Sequence, residues 1–141
     1  MNLDAVDFLT KHQVGVIATC TEGKPHAVPV YYHYHQEDGC VYFVTKADTQ
    51  KYQNINNNDN VFFSVFTTSP QASFRAECKA MTNLEDKGSN ADIINILVGV
   101  HAIQVYQPTP IEPVKRSEMK LVKLEIQNYQ FDEYNKEIVS E

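Results

Sequence analysis

A chain of 141 residues, 43% hydrophobic and 21% charged, is sized and composed for a single globular core and is too apolar to be disordered. Eighteen acidic against twelve basic residues give a net charge of −6, which argues against nucleic acid as a partner, because that affinity comes largely from basic side chains neutralising phosphates. No apolar run approaches the ~20 residues that span a bilayer. The start, Met1-Asn2-Leu3-Asp4, lacks the basic and apolar regions of a secretory leader. Cys20, Cys40 and Cys78 are odd in number, far apart and without a Cys-x-x-Cys pair, as suits a reducing compartment. The expectation is one domain over residues 1–141, cytoplasmic, with no membrane partner.

In chain order, the first dozen residues read as a short helix capped by Asn2 or Asp4, with Leu3, Val6 and Leu9 or Phe8 on one face. Val14–Cys20 is a compact β-branched run, and Thr21-Glu22-Gly23-Lys24-Pro25 supplies turn chemistry. His26–His35 alternates as a second strand, with Val28, Val30, Tyr32 and Tyr34 on one side. After Gln36-Glu37-Asp38-Gly39 the chain returns as Cys40–Thr45, completing an antiparallel meander. Asp48–Asn57 reads as a helix capped by Asp48 or Thr49 and ended by an Asn-rich stretch.

Val61–Thr67 and Ser73–Leu84 make two further strands. A capping box of Ser89 and Asp92 starts a helix packed through Ile93, Ile94, Leu97 and Val98. Prolines stiffen a connector from Gln107 to Pro113, and Leu121–Phe131 forms the last strand. Six strands in so short a chain favour a small closed barrel, which removes sheet edges. The predicted class is mainly β: a six-stranded, mostly antiparallel split β-barrel with two or three helices.

Little of the usual catalytic vocabulary is present. The sequence holds no nucleophile elbow, P-loop or dinucleotide glycine fingerprint. The three cysteines lie in apolar strands, where burial makes a thiol inert. His33 and His35 share a strand face and are a possible metal pair, but no third ligand has a predictable place. The pair reads as surface or pocket-rim histidines, and no metal is expected. His26, just after a turn, is placed to reach a bound anion. The segment Thr45-Lys46-Ala47-Asp48-Thr49-Gln50-Lys51 ends a strand and opens a helix. A helix N-terminus offers backbone N–H groups and a positive dipole end to a phosphate. Thr45 and Thr49 add hydroxyls, and Lys46 and Lys51 add charge; a merely capped helix with solvated lysines has the same pattern.

The run Phe43-Val44-Thr45-Lys46-Ala47-Asp48-Thr49-Gln50-Lys51-Tyr52-Gln53-Asn54-Ile55, preceded by Gly23-Lys24-Pro25-His26-Ala27-Val28-Pro29-Val30-Tyr31-Tyr32, resembles the pyridoxamine 5′-phosphate oxidase-like FMN-binding split barrels. The likeness extends from about Val14 to Leu84, with an echo up to Phe131. It implies a homodimer with FMN at the subunit interface. Thr45, Thr49, Gln50 and Lys51 would surround the phosphate and ribityl chain, with His26 and Lys46 nearby. Val28, Pro29 and Val30 would run along the ring with Val44 beside it, and Ser73 would reach in from the partner subunit. Lys46, Gln50 and Cys78 depart from residues common in the family, and the sequence contains no tryptophan. These departures argue against the vitamin B6 reaction itself. The implied function is an FMN-dependent oxidoreductase acting on an unidentified small molecule, with deazaflavin or haem as other cofactors. The alternatives are a flavin- or haem-holding module without turnover and a cofactor-free dimeric barrel.

Overall fold

The computed structural model describes residues 1–103, 111 and 114–134. Six strands form a closed barrel: β1 (Val14–Thr21), β2 (Lys24–His35), β3 (Cys40–Thr45), β4 (Asn60–Thr68), β5 (Gln71–Met81) and β6 (Lys120–Glu133). They are hydrogen-bonded in the order β1-β2-β3-β6-β5-β4, and every neighbouring pair is antiparallel. Helices α1 (Leu3–Lys11), α2 (Gln50–Asn57) and α3 (Ser89–Ile103) accompany them among the described residues. The fold is therefore the mainly β barrel that strand count and turn spacing predict.

Turn chemistry sets the first hairpin. Glu22 and Gly23 both have positive φ, at 53° and 76°, and they join the paired residues Thr21 and Lys24. A two-residue turn with both central residues left-handed matches the twist of the flanking strands. Pairing therefore runs to the turn, and β2 begins two residues before His26. Closure is narrowest between β1 and β4, where only Val16, Ile17 and Ala18 find register partners. Beside them Gly15 is required by space, since a Cβ there would stand 2.5 Å from Cζ of Phe63.

The barrel interior holds Ile17, Tyr32, Phe43, Phe63, Phe74 and Leu124, and α1 packs on it through Ala5, Phe8 and Leu9. The α1 face thus differs from the expected one, for Leu3 is 84% exposed. Two hydrogen bonds set this rotation. Ala5 N–H donates to Asn2 Oδ1 at 2.8 Å, which caps the helix, and Tyr32 O–H donates to the Leu9 carbonyl at 2.8 Å.

Strand β3 is buried on both faces. Val41 and Phe43 face the barrel interior. Cys40, Tyr42 and Val44 face outward under Ile93, Ile94 and Leu97 of α3. Val98, half-buried, packs against that cluster as expected, and Val100 is buried as well. Ser89 is the first helical residue rather than the cap. Strand β5 stops at Met81 instead of Leu84, because Asn83 turns into the left-handed region at φ 62°. The Gln107–Pro113 connector lies outside the described residues except for Ile111.

Candidate functional site

The end of β3 and the start of α2 are tied together by hydroxyl groups. Thr45 is almost fully buried, and its Oγ1 lies 2.8 Å from Oγ1 of Thr49. Thr49 Oγ1–H donates to the Lys46 carbonyl at 3.0 Å and caps α2 by accepting from Tyr52 N–H at 3.4 Å. Of the two predicted caps, Thr49 serves. This bonding fixes the turn from which Lys46 and Lys51 project.

A cavity of about 170 Å³ adjoins this turn. Thr45, Lys46, Thr49 and Lys51 supply its polar lining, and Val28, Pro29, Val30 and Val44 its apolar lining. Eight of the eleven residues singled out from the sequence therefore share one cavity. Among the described residues no carboxylate lines it, although the chain carries more acidic than basic residues.

The other three lie elsewhere. Gln50 Nε2–H donates to Asn54 Oδ1 at 2.7 Å, and Asn54 Nδ2–H donates to Thr19 Oγ1 at 3.0 Å. This polar chain, buried at Asn54 and Thr19, ties α2 to β1 and engages Gln50 Nε2. His26 stands opposite Thr19 in the first hairpin, with Nδ1 buried and unpartnered among the described residues. Ser73 pairs with Phe66 and Asp132 on neighbouring strands, and its buried Oγ likewise finds no partner.

Sequence reasoning missed Tyr31 and His101, together with Ile111 and Val114, in the cavity wall. The Tyr31 and His101 rings meet edge to face with centroids 4.8 Å apart. His101 Nε2 is buried without a hydrogen-bond partner among the described residues, and burial lowers its pKa below the ordinary value, favouring neutral imidazole. Seventy residues separate the two rings, so no spacing signal could join them. The outward parity of Tyr31 beside Pro29 was the only available clue.

The remaining candidate groups divide clearly. All three cysteines are free; burial raises the Cys40 pKa and pushes that of Cys78 up to about 12, so both stay protonated at neutral pH. His33 and His35 lie outside the cavity lining. A larger cleft of about 690 Å³ lies against α1 and the β4–β5 hairpin, with Asp4, Asp7, Lys11, His12 and Glu133 among its lining residues.

A profile of pyridoxamine 5′-phosphate oxidase matches residues 3–129. The chain belongs to that family. Among curated proteins nothing matches its sequence. Of solved structures, an FAD-binding protein from Mesorhizobium loti superposes with a TM-score of 0.74 at 19% identity, covering 96% of each chain. The FAD-binding protein from Mycobacterium smegmatis gives a TM-score of 0.65 at 14% identity, covering 96% of this chain and 98% of that one. A haem-binding protein from the same organism gives 0.65 at 17% identity, covering 85% of this chain and 48% of its own. At such identities what is shared is the fold. No helix among the described residues is long and apolar enough to cross a membrane.

Proposed function

We propose that this family member is an FMN-binding oxidoreductase that works as a homodimer on a small-molecule substrate. The observation that carries the reading is the cavity lining: two lysines and two threonines beside an apolar wall, with no carboxylate among the described lining residues. That donor set fits a phosphate joined to a flat apolar ring. Lys46 and Lys51 would hold the phosphate by charge-assisted hydrogen bonds, and the linked Thr45–Thr49 pair keeps their turn in place. Val28, Pro29, Val30 and Val44 would keep water from one side of the ring. The orphaned His101 Nε2 offers a neutral hydrogen-bonding group to whatever enters. Bound flavin would itself supply the electron-transfer chemistry, and no side chain is assigned as acid or base. Among the described lining residues the lysines come from one segment, Lys46 to Lys51, which favours a ligand with one phosphate, a mononucleotide, over FAD.

A second copy of the chain completes the reading. Pockets for ligands of this kind run to about 300–1,000 Å³, so 170 Å³ is a part-site. Val14, Val16, Phe62 and Phe66 are between 39% and 60% exposed on the adjoining strands β1 and β4. A partner barrel would bury these side chains and reach the unpartnered Ser73 hydroxyl beside Phe66. The free thiols suit a cytoplasmic home.

The deciding experiment is the visible spectrum of the protein as purified, with chromatography of the material released by heat and sedimentation analysis of its assembly. Two flavin bands, FMN at about one per subunit and a dimer are expected. A colourless protein that also refuses added FMN defeats the reading, and a Soret band replaces it with haem. Lys51→Ala with Thr49→Ala is expected to weaken FMN retention at least tenfold while the protein stays folded; unchanged affinity would remove the phosphate assignment.

A further inference from the structure

Two imidazoles outside the cavity are arranged as metal ligands. His33 and His35, two apart on β2, project from the same face of the strand. His33 Nε2 lies 3.2 Å from His35 Nδ1. Without an ion this is a hydrogen bond between neutral rings, with one N–H between two nitrogens. The same separation is what one ion requires. Metal–nitrogen bonds of about 2.0–2.1 Å, meeting at roughly 90–110°, place their nitrogens about 2.8–3.4 Å apart.

The surroundings favour the ligating tautomer. Oε2 of Glu37 lies 3.6 Å from His35 Nε2, so the distal N–H faces a carboxylate and Nδ1 is left to coordinate. Carboxylates commonly hold ligating imidazoles in this way. The His35 ring also meets Tyr42 edge-on at 6.1 Å, and the Tyr42 hydroxyl donates to Asp38. Lys123, from β6, is drawn 3.8 Å from the same Asp38 carboxylate, which offsets its charge. Both histidines are half-buried on a paired strand, so their placement costs little further entropy on binding.

We propose that His33 Nε2 and His35 Nδ1 form a two-histidine chelate for a divalent transition ion of the copper, nickel and zinc class. The ion replaces the hydrogen bond between the two nitrogens; the proton that His33 held at Nε2 passes through solvent to its Nδ1, so both rings stay neutral and no net proton is released. Among the described residues no group of three metal-binding side chains exists; the remaining coordination positions are therefore open to water or an exchangeable ligand. Imidazole suits copper, nickel and zinc, whereas magnesium and calcium demand oxygen.

The test is a titration of the metal-free full-length protein with Cu²⁺, followed by calorimetry and electron paramagnetic resonance. One ion per chain, hyperfine coupling to two imidazole nitrogens and no competition from excess Mg²⁺ are expected. His33→Gln and His35→Gln should each weaken Cu²⁺ at least tenfold, Glu37→Gln should weaken it severalfold, and His12→Ala should leave it unchanged. Binding that survives the His33→Gln/His35→Gln double variant overturns the proposal. So does a wild-type spectrum without two coordinated imidazoles, an outcome that does not depend on how the variants fold.

Discussion

Two of the molecule's hollows teach opposite lessons about where a ligand goes. The cleft by α1 is about four times larger than the cavity beside α2, at about 690 against 170 Å³. Among the described residues its lining includes Asp4, Asp7 and Glu133 with Lys11 as its one lysine, whereas that of the smaller cavity has Lys46 and Lys51 and no carboxylate. For an anionic ligand, charge decides against size: like charges in the cleft oppose binding, and paired lysines in the cavity favour it. The smaller hollow also has the pre-set polar turn, while the larger is walled by a helix end and a hairpin.

The largest expected effects come from removing the buried side chains that anchor each wall. Leu97 pins α3, with its His101, against β3, and Leu9 pins α1 against the barrel; both are fully buried. Leu97→Ala and Leu9→Ala should each lower stability by about 2–5 kcal/mol in urea denaturation. The comparison lies in FMN titration of the protein that remains folded. Leu97→Ala should weaken binding at least tenfold, and Leu9→Ala should leave it within twofold. Equal losses from both would mean that the cavity has no special claim.

Charge substitutions act next, and more directly. Lys46→Glu with Lys51→Glu should reduce FMN affinity at least a hundredfold, about 2.7 kcal/mol at 25 °C, with the fold retained by circular dichroism. Asp4→Asn with Asp7→Asn, which makes the cleft less hostile to anions, should change it less than twofold. A gain from the second pair as large as the loss from the first would move the site to the cleft.

The site was legible wherever its residues are close in sequence. The turn from Thr45 to Lys51 and the run from Val28 to Val30 are local, and antiparallel pairing of β2 with β3 brings them together. The barrel was legible because six apolar runs and their turns leave few ways to bury strand edges. His101 was not, because α3 reaches the cavity only through tertiary packing of Ile93, Ile94 and Leu97 on β3. Gln50, although local in the motif, lies outside the cavity lining, and its Nε2–H donates to Asn54, one helical turn away. The Leu3 face failed because the Asn2 cap and the Tyr32 hydroxyl set the rotation of α1, and neither is visible in apolar spacing.

A smaller effect follows from His101. Burial lowers its pKa below the ordinary 6.5, so as pH falls the unfolded chain takes up that proton before the folded one. Stability should therefore drop as pH falls from about 6.5 to the folded pKa, then level off; above 6.5 the group adds no pH dependence. His33 is shifted the same way, chiefly by burial, so the wild type carries two such groups. Urea midpoints at pH 7.5 and 5.0 should converge in His101→Gln relative to wild type, with His33 accounting for part of the slope that remains. An unchanged slope would show that His101 is not held neutral at the cavity wall.

The smallest effect is expected at Lys11, and it tests the comparison from the other side. Its ammonium lies 2.8 Å from Asp7 one helical turn earlier, with both side chains largely exposed. Water and salt screen such pairs, and ordering two long side chains offsets most of the attraction. The neighbouring carboxylate raises the Lys11 pKa, which leaves it charged at neutral pH, yet its charge is already committed to Asp7. Lys11→Ala should therefore leave the thermal midpoint and FMN affinity unchanged within error, although it deletes the only lysine among the described lining residues of the larger cleft. If affinity instead falls tenfold, as expected for Lys51→Ala with Thr49→Ala, a cation is acting where the charge balance is unfavourable, and size rather than charge has chosen the site.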